Sequence, residues 1–222
     1  MKYLTHRFFI AVAICFCCNI IAQTQVKASL KTAQILERRG EWNGAISIYN
    51  DILNKNPKNY QAIRSLKNIY RKTQRYHDGI QFLRSRLKYQ PNDIQSYVEL
   101  GEFHFLNDQA GEAIAVWRKG LTSFQENQSY YRFLLPIYGK YGLNDEISLL
   151  INKGRQQFGS AFLSRDLGYF YQTRRVYDRA LDEYILNLVY NHQQSASISR
   201  RILTMSDEPE AKQLIETKLT DA

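Results

Sequence analysis

Apolar residues along the chain recur at helical spacing, and the recurrence itself repeats about every 34 residues. Ile46, Tyr49 and Leu53 are separated by steps of three and four, which place them on one face of an α-helix. The same face returns at Leu83 and again, after an equal interval, at Trp117. Each unit therefore contains a helix whose apolar stripe faces a partner.

A second set of positions with the same period predicts that partner. Leu36, Tyr70, His104 and Tyr138 are equally spaced and mark a first helix in each unit. The small residues of the second helices keep the register too: Ala45, Gly79 and Ala113. A fifth copy, from Leu167 to Leu188, arrives one residue early. The pattern predicts two helices per unit.

The expected helix starts repeat with the core. Good N-cap residues precede the first helices: Asn59, Asp93, Asn127 and Ser160. Acidic residues lie near the starts of second helices, where the helix dipole favours negative charge: Asp78, Glu112 and Glu146. Boundaries and core thus give the same division of the chain.

The stretches "LGEFH" with Ala113 and Trp117, and "LGYFY" with Ala180 and Tyr184, carry a recognisable pattern. The chain resembles the tetratricopeptide repeat (TPR) family, whose repeat reads W-x2-L-G-x2-Y, then Ala, an aromatic residue and Pro. The resemblance covers residues 26–194 in five repeats. It implies an all-α, right-handed superhelical α-solenoid of stacked helix-turn-helix repeats.

Two repeats depart from this pattern. In the second, Lys67 replaces a small residue, and in the fourth both Leu135 and Ile147 are large. Pro136 also stands in the middle of a predicted helix, where it removes one backbone hydrogen bond. We expect the fourth repeat to be degenerate, with loose or bent geometry, and prefer drift in a tolerant array to a hinge as the cause.

Residues 195–222 also predict two helices, but they lack the residues of the repeat pattern. "SASISRRILTM" predicts another first helix, and "EPEAKQLIETKL" begins a helix near Pro209 with a charged outer side. These segments read as a partial repeat or as capping helices. A continuation of the array in a longer relative is the alternative.

Residues 1–22 predict a cleaved bacterial signal peptide. A positive start, 15 mostly apolar residues and Ala22 before Gln23 form the pattern. An uncleaved anchor would need about 20 apolar residues. A lipoprotein signal needs a small residue before its cysteine, and a mitochondrial transit peptide would be Arg-rich and amphipathic. We expect an exported chain, periplasmic or secreted, without a transmembrane span after cleavage.

The charge balance favours acidic partners. The chain carries a net charge of +9, and removal of Lys2 and Arg7 with the signal leaves 28 basic and 21 acidic residues, net +7. Such a balance steers anionic partners over long range. Because an exported chain seldom meets nucleic acid, we expect none as a partner.

No constellation for catalysis, metal or cofactor binding stands out. All three cysteines lie within residues 1–22. The histidines lack metal-ligand spacing, and His104 occupies a core position. Walker, G-x-S-x-G and G-x-G-x-x-G motifs are absent. We therefore predict a non-enzyme that needs no cofactor and no metal.

The resemblance implies a concave groove lined by the exposed side of the first helices. Carried over residue by residue, the partner-binding set is Arg64, Asn68, Arg71, Glu102, Phe105, Arg132, Arg165 and Tyr169, with Lys27 and Glu99 on the same face. A carboxylate clamp would rest on Arg64 and Asn68 alone, with Glu99 opposing it.

Two functions remain open. The leading hypothesis is a non-catalytic scaffold of the envelope or secreted fraction that binds protein or peptide segments, acidic ones in particular, in the groove. The alternative is a basic module for an anionic polymer or membrane surface. Basic residues confined to the groove with aromatics would favour the first, and a continuous convex stripe the second.

Overall fold

The structure, a computed structural model, describes residues 25–220, with side chains as far as Lys218. Every regular element in that range is helical. The α-helices are α1 (25–39), α2 (Trp42–Lys55), α3 (Tyr60–Lys72), α4 (Tyr76–Tyr89), α5 (Ile94–Leu106), α6 (Ala110–Ser123), α7 (Gln128–Lys140), α8 (Asn144–Phe158), α9 (Ser164–Gln172), α10 (Tyr177–Tyr190), α11 (Ser195–Met205) and α12 (Pro209–Thr220). A single 3-10 turn, His192–Gln194, precedes α11.

Short turns join the helices into hairpins. α2 packs against α3 in one compact unit, and the chain passes to a second unit at Ser85 and Arg86, within α4. In the second unit α5 packs against α6, α7 against α8 and α9 against α10. First helices also pack on one another, α5 on α7 and α7 on α9. The predicted helices and their order are confirmed.

Three of the four predicted caps are confirmed. The side chains of Asn59, Asp93 and Asn127 accept hydrogen bonds from backbone N–H groups at the starts of α3, α5 and α7. The prediction for Ser160 is wrong, because α9 begins only at Ser164 and its N-cap is Leu163. Leu163 is in the left-handed conformation, with φ 65°. The extra turn leaves α9 only nine residues long.

The turn from first to second helix contains a left-handed residue in every repeat. Positive φ values of 77, 57, 57, 68 and 58° occur at Gly40, Gln74, Asp108, Gly142 and Arg175. Glycine adopts this conformation without steric cost, whereas three of these turns use other residues. The backbone geometry therefore keeps the repeat period even where the sequence loses its glycine.

Small residues let the paired helices approach closely. A Cβ on Gly101 would lie 2.2 Å from Trp117 Nε1, and one on Gly168 would lie 2.4 Å from the Tyr184 ring. Both aromatic side chains are fully buried. The glycine of the first helix thus makes room for the aromatic residue of the second, as the repeat pattern predicts.

The large residues of the fourth repeat lie in the core. Leu135 and Ile147 are 3% and 5% exposed and belong to one core that draws on helices α5 to α9. α7 continues as one helix through Pro136. Ile151 stands where the neighbouring repeat has Trp117. The paired helices α7 and α8 approach less closely than α5 and α6 do.

The C-terminal helices form a further pair that packs on α10. Ile198, Ile202, Met205 and Ile215 join the buried residues of α10 in a second core cluster. Lys218 forms ion pairs with Asp178 and Asp182. Two helices thus follow residue 195, as the sequence predicts, whereas the predicted signal peptide, residues 1–22, lies outside the described residues.

Ion pairs join successive second helices. Arg118 on α6 donates to both oxygens of Glu146 on α8, at 3.0 and 2.5 Å. Arg155 on α8 donates to Glu183 on α10 at 2.5 Å. Burial raises the pKa of the Glu183 carboxyl above its ordinary value, although the bond from Arg155 opposes the shift. These pairs run from α6 to α10 across two hairpin boundaries.

Candidate functional site

Three of the predicted binding residues share one face of α3. Arg64, Asn68 and Arg71 follow one another at steps of four and three, which bring them together on a helix. Arg64 and Asn68 are exposed, and Arg71 is half-buried. These three side chains therefore lie together, all within the first unit.

The arginines predicted on α7 and α9 meet at a shared carboxylate. Arg132 Nε lies 3.3 Å from one oxygen of Asp166, and Arg165 Nη2 lies 3.4 Å from the other. Arg132 also lies over the Phe162 ring, 5.5 Å from its centroid. Both arginine side chains remain close to half exposed. They are thus oriented by Asp166 and still offer N–H groups to a ligand.

Exposed aromatic residues lie on the same two first helices. Tyr169 on α9 is 52% exposed, and Phe133 on α7, absent from the predicted set, is 45% exposed. The Arg201 guanidinium covers part of the Tyr169 ring at 4.8 Å from its centroid. Apolar contact area is therefore available beside the arginines.

Glu102 does not lie on an open surface, contrary to the prediction. It is 7% exposed, and one carboxylate oxygen accepts hydrogen bonds from Lys140 at 2.9 Å and Tyr141 at 3.1 Å. The bond to Glu102 raises the pKa of the Lys140 amine. The residue instead connects α5 to the end of α7.

Phe105 is likewise a packing residue. Its ring centroid lies 4.1 Å from that of Tyr141 and 6.3 Å from that of Trp117. It is half-buried against the core that runs from α5 to α9. Its ring is therefore already engaged in the contacts between hairpins.

A pocket of about 380 Å³ opens beside the two arginines, between α7, α9 and the C-terminal end of α10. Asn187 lines it and is 3% exposed, and its Nδ2 donates to Ser164 Oγ at 2.9 Å. Within residues 25–220, Asn187 Oδ1 and Gln194 Oε1 are buried without a hydrogen-bond partner. The two arginines therefore line the pocket, whereas these two oxygens are buried and not accessible from it.

Sequence reasoning missed Asn187, Ser164 and Gln194. The repeat offers a signal for the first two, since Gly154 and Tyr131 occupy the equivalent positions in the preceding repeat. A polar pair thus replaces a glycine and an aromatic residue in a buried column. Gln194 follows the end of the repeat pattern and gives no such signal.

Comparison with known proteins yields solved structures only. No family model matches the chain, and no curated protein matches it. MamA is 18% identical, covering 77% of this chain and 94% of that one, with a TM-score of 0.43. YrrB, a TPR protein with an unusual peptide-binding site, is 14% identical over 78% and 90%, with a TM-score of 0.39. TTC0263, a thermophilic TPR protein of Thermus thermophilus, is 15% identical over 81% and 98%, with a TM-score of 0.44.

Similarity at these values indicates nothing about a ligand or partner. The fold follows from the hairpins themselves, with their left-handed turns at the repeat period and Gly101 under Trp117. The chain folds as a TPR-like array. Such arrays stack helical pairs into an α-solenoid.

The array has a core histidine where one was predicted. His104 is 2% exposed, and its Nδ1 shares a 2.7 Å hydrogen bond with Gln109 Oε1. Over the part of the chain that the structure describes, no group of three His, Cys, Asp or Glu side chains is placed to hold a metal ion. In the same range no helix is long and apolar enough to cross a membrane.

Proposed function

We propose that this TPR-like array is a non-catalytic scaffold that binds acidic, partly apolar segments of partner proteins on the exposed side of its first helices. The observation that carries the proposal is the pair α7 and α9, where Arg132 and Arg165 meet at Asp166 and Arg165 stands one turn before the exposed Tyr169. Cationic and aromatic side chains on one face match a segment that carries both carboxylates and apolar residues.

The energetics assign different roles to the two kinds of side chain. Exposed ion pairs contribute about 0–1 kcal/mol each, so the arginines orient the segment more than they hold it. Burial of aromatic area supplies most of the affinity. Binding should therefore weaken with added salt without disappearing.

The test uses acidic peptides that contain aromatic residues, with neutral peptides of the same apolar content for comparison. Fluorescence polarisation would measure affinity for the wild type and for the double variant Arg132→Ala with Arg165→Ala. We expect a loss of about tenfold in the variant, since two charge-assisted contacts are removed. A matched control removes the exposed Lys119 and Lys153 of α6 and α8, which lie on second helices.

The same variants separate this function from the alternative, binding to an anionic polymer or membrane surface. Polyphosphate and anionic vesicles serve as probes. Equal losses in both double variants would mean that net charge alone matters, and the polyanion function would replace the scaffold. A loss confined to the arginine variant, and to peptides, supports the scaffold.

We also propose that the chain is exported and that cleavage occurs after Ala22. The support is the positively charged start and the short apolar stretch of residues 1–22. Intact-mass analysis of protein from the periplasm should give the mass of the chain that begins at Gln23. Retention of Met1–Ala22, or acylation of a cysteine, would contradict this.

A further inference from the structure

We propose that one edge of the first unit docks on an anionic membrane surface. The starts of α1 and α3 and the end of α2 form this edge, which we call the basic edge. It carries five exposed cations and one exposed ring: Lys27, Lys31, Lys55, Lys58, Arg64 and Tyr60. The inference goes beyond the scaffold function and stands without it, because none of these residues lies on α7 or α9.

The charge of the chain is divided unequally between its two units. Residues 25–85 hold 12 basic and four acidic side chains, whereas residues 86–222 hold 16 and 17. Between Asp51 and Asp78 there are seven basic residues and no acidic one. The excess positive charge is thus a property of the first unit. Such a field attracts anionic surfaces over long range.

Contacts inside the first unit give the direction of its helices. The start of α2 lies at the end of α3, where Lys72 Nζ is 4.9 Å from the centroid of the Trp42 ring. It also lies beside the turn into α4, where Arg75 donates to Asn43 at 2.7 Å. Because short turns join these helices, α1 and α3 run parallel and α2 runs antiparallel to them. The starts of α1 and α3 therefore share one edge with the end of α2.

Cations at the opposite edge are already engaged. Arg39 lies 3.9 Å from Glu41, and Arg75 lies 2.6 Å from Asp78. At the basic edge, by contrast, no side chain within residues 25–218 forms an ion pair with any of the five cations. The basic edge thus offers positive charge that the fold leaves uncompensated.

The helix starts add to this charge. Lys27 lies in the first described turn of α1, and Lys58 precedes the start of α3, whose first turn has no acidic residue. A cation is unfavourable near a helix N-terminus, because the backbone already carries a partial positive charge there. These positions therefore do not support the fold, and their charge is available to an anionic partner.

Tyr60 favours a lipid surface over a soluble anionic polymer. Its side chain is 79% exposed at the first position of α3, between Lys58 and Arg64 in the sequence. A tyrosine ring has an apolar body and a polar tip, and tyrosine is enriched where membranes meet water. Lysine stems fit the same boundary, since their charged ends reach the headgroups. The edge thus matches anionic headgroups above an apolar layer.

The test measures binding to vesicles made of equal parts of phosphatidylcholine and phosphatidylglycerol, with pure phosphatidylcholine vesicles for comparison. It uses the chain from Gln23 to Ala222, because the apolar stretch of residues 1–22 would insert into lipid by itself. Co-sedimentation gives the partition coefficient. We expect binding to the anionic vesicles only, and weaker binding as salt is added, since salt screens exposed charges.

Removal of three lysines tests the basic edge. The combined variant Lys31→Gln, Lys55→Gln and Lys58→Gln should bind anionic vesicles at least about tenfold more weakly, because each cation near such a surface contributes about fivefold to partition. All three side chains are exposed, so the melting temperature should be kept.

A matched control removes the same charge from the second unit. It combines three substitutions at exposed lysines: Lys119→Gln, Lys153→Gln and Lys212→Gln. We expect its partition to stay within about twofold of the wild type, because screening leaves distant charges little influence.

Tyr60→Trp reports whether the basic edge meets lipid. The wild type has two tryptophans, Trp42 at the opposite edge and the fully buried Trp117. Brominated acyl chains quench only fluorophores that touch them. On brominated anionic vesicles we expect the variant to lose most of its added emission and the wild type to lose none.

Three results would overturn the proposal: no binding to the anionic vesicles, equal losses in the two lysine variants, or no quenching of Tyr60→Trp. Binding to polyphosphate that equals binding to vesicles, with no quenching, would assign the edge to a soluble polyanion instead. Peptide binding to the arginines of α7 and α9 is measured separately on variants of the second unit. The failure of either function therefore leaves the other standing.

Discussion

The hairpins α5–α6 and α7–α8 differ in the side chains at two equivalent core positions, one on each helix. The first places Gly101 under the fully buried Trp117. The second has Leu135 at the glycine position and Ile151 at the tryptophan position. The backbones of α5 and α6 approach more closely as a result. The two hairpins therefore fill their cores with different pairs of residues at different helix separations.

The largest effect is expected when the second-helix residue at the tryptophan position is removed from each hairpin. Trp117→Ala should lower the free energy of unfolding by about 3–5 kcal/mol, because it leaves a cavity and removes the 2.9 Å hydrogen bond that Trp117 Nε1 donates to the Val98 carbonyl. Ile151→Ala should cost less than about 2 kcal/mol, since Ile151 is only partly buried. Urea unfolding measures both. Equal costs would mean that the two hairpins do not differ in this way.

The next test adds bulk to the tight pair. Gly101→Ala should destabilise by about 1–3 kcal/mol, because its Cβ would meet the Trp117 ring. Gly111→Ala in α6 is the control, since its Cβ would meet nothing within 4 Å and the change favours the helix. The same urea experiments measure both variants, and an equal gain in stability from the two changes would contradict the close approach at Gly101.

Combining Gly101→Leu with Trp117→Ile converts the pair of α5–α6 into that of α7–α8. We expect the double variant to be more stable than the sum of the single variants, with a coupling energy of about 1 kcal/mol or more. Simple additivity in urea unfolding would refute the exchange of volume.

A third test concerns the proline of the second hairpin. Pro136→Ala should stabilise the chain by about 1–2 kcal/mol, because Pro136 is exposed within α7 and the alanine restores a backbone donor. Ser148→Ala on the exposed side of α8 should change stability by less than about 0.5 kcal/mol. Thermal or urea unfolding measures both changes. A loss of stability in the proline variant would indicate that the proline fixes the geometry of α7.

The smallest effect is expected when the N-cap of α5 or of α7 is removed. Asp93→Ala and Asn127→Ala should each cost about 1 kcal/mol near neutral pH, since each side chain accepts a first-turn N–H. Burial acts to raise the pKa of Asp93, but the bonds from Ser96 and the charge of Arg86 outweigh it, so the pKa lies below its ordinary value.

Only the first of these caps depends on pH. A lowered pKa means that the carboxylate stabilises the fold above its unfolded pKa and that this contribution is lost as the pH falls through the folded pKa. The stability difference between wild type and Asp93→Ala should shrink below about pH 4, whereas that for Asn127→Ala should not. Chemical unfolding at several pH values measures both. A constant difference at Asp93 would contradict the assigned shift.

The fold could be predicted from the sequence because its signals are local or periodic. Asn59, Asp93 and Asn127 act within a few residues of themselves, and the apolar stripes need only the helical period. The cap predicted at Ser160 does not form, because the left-handed Leu163 delays the start of α9 to Ser164. A backbone conformation forced on a leucine leaves no mark in the sequence.

The candidate site was less predictable because it depends on distant pairs. Helical periodicity gives the face on which Glu102 lies but not that Lys140, 38 residues later, reaches it. Arg132 and Arg165 were found as exposed cations, whereas their common partner Asp166 required the packing of α9 on α7. The pocket needed a comparison of side-chain volumes between repeats, which single residues do not reveal.

The ion pairs between second helices affect how the array comes apart. In a linear array each hairpin holds only its neighbours, so unfolding can begin at an end and spread inward. The bonds from Arg118 to Glu146 and from Arg155 to Glu183 couple three successive hairpins through their outer helices. Such bonds favour the concerted unfolding of neighbouring hairpins. Because the Glu146 and Glu183 side chains are only 6% and 13% exposed, salt screens these pairs weakly, so we expect the unfolding transition to stay sharp at high ionic strength.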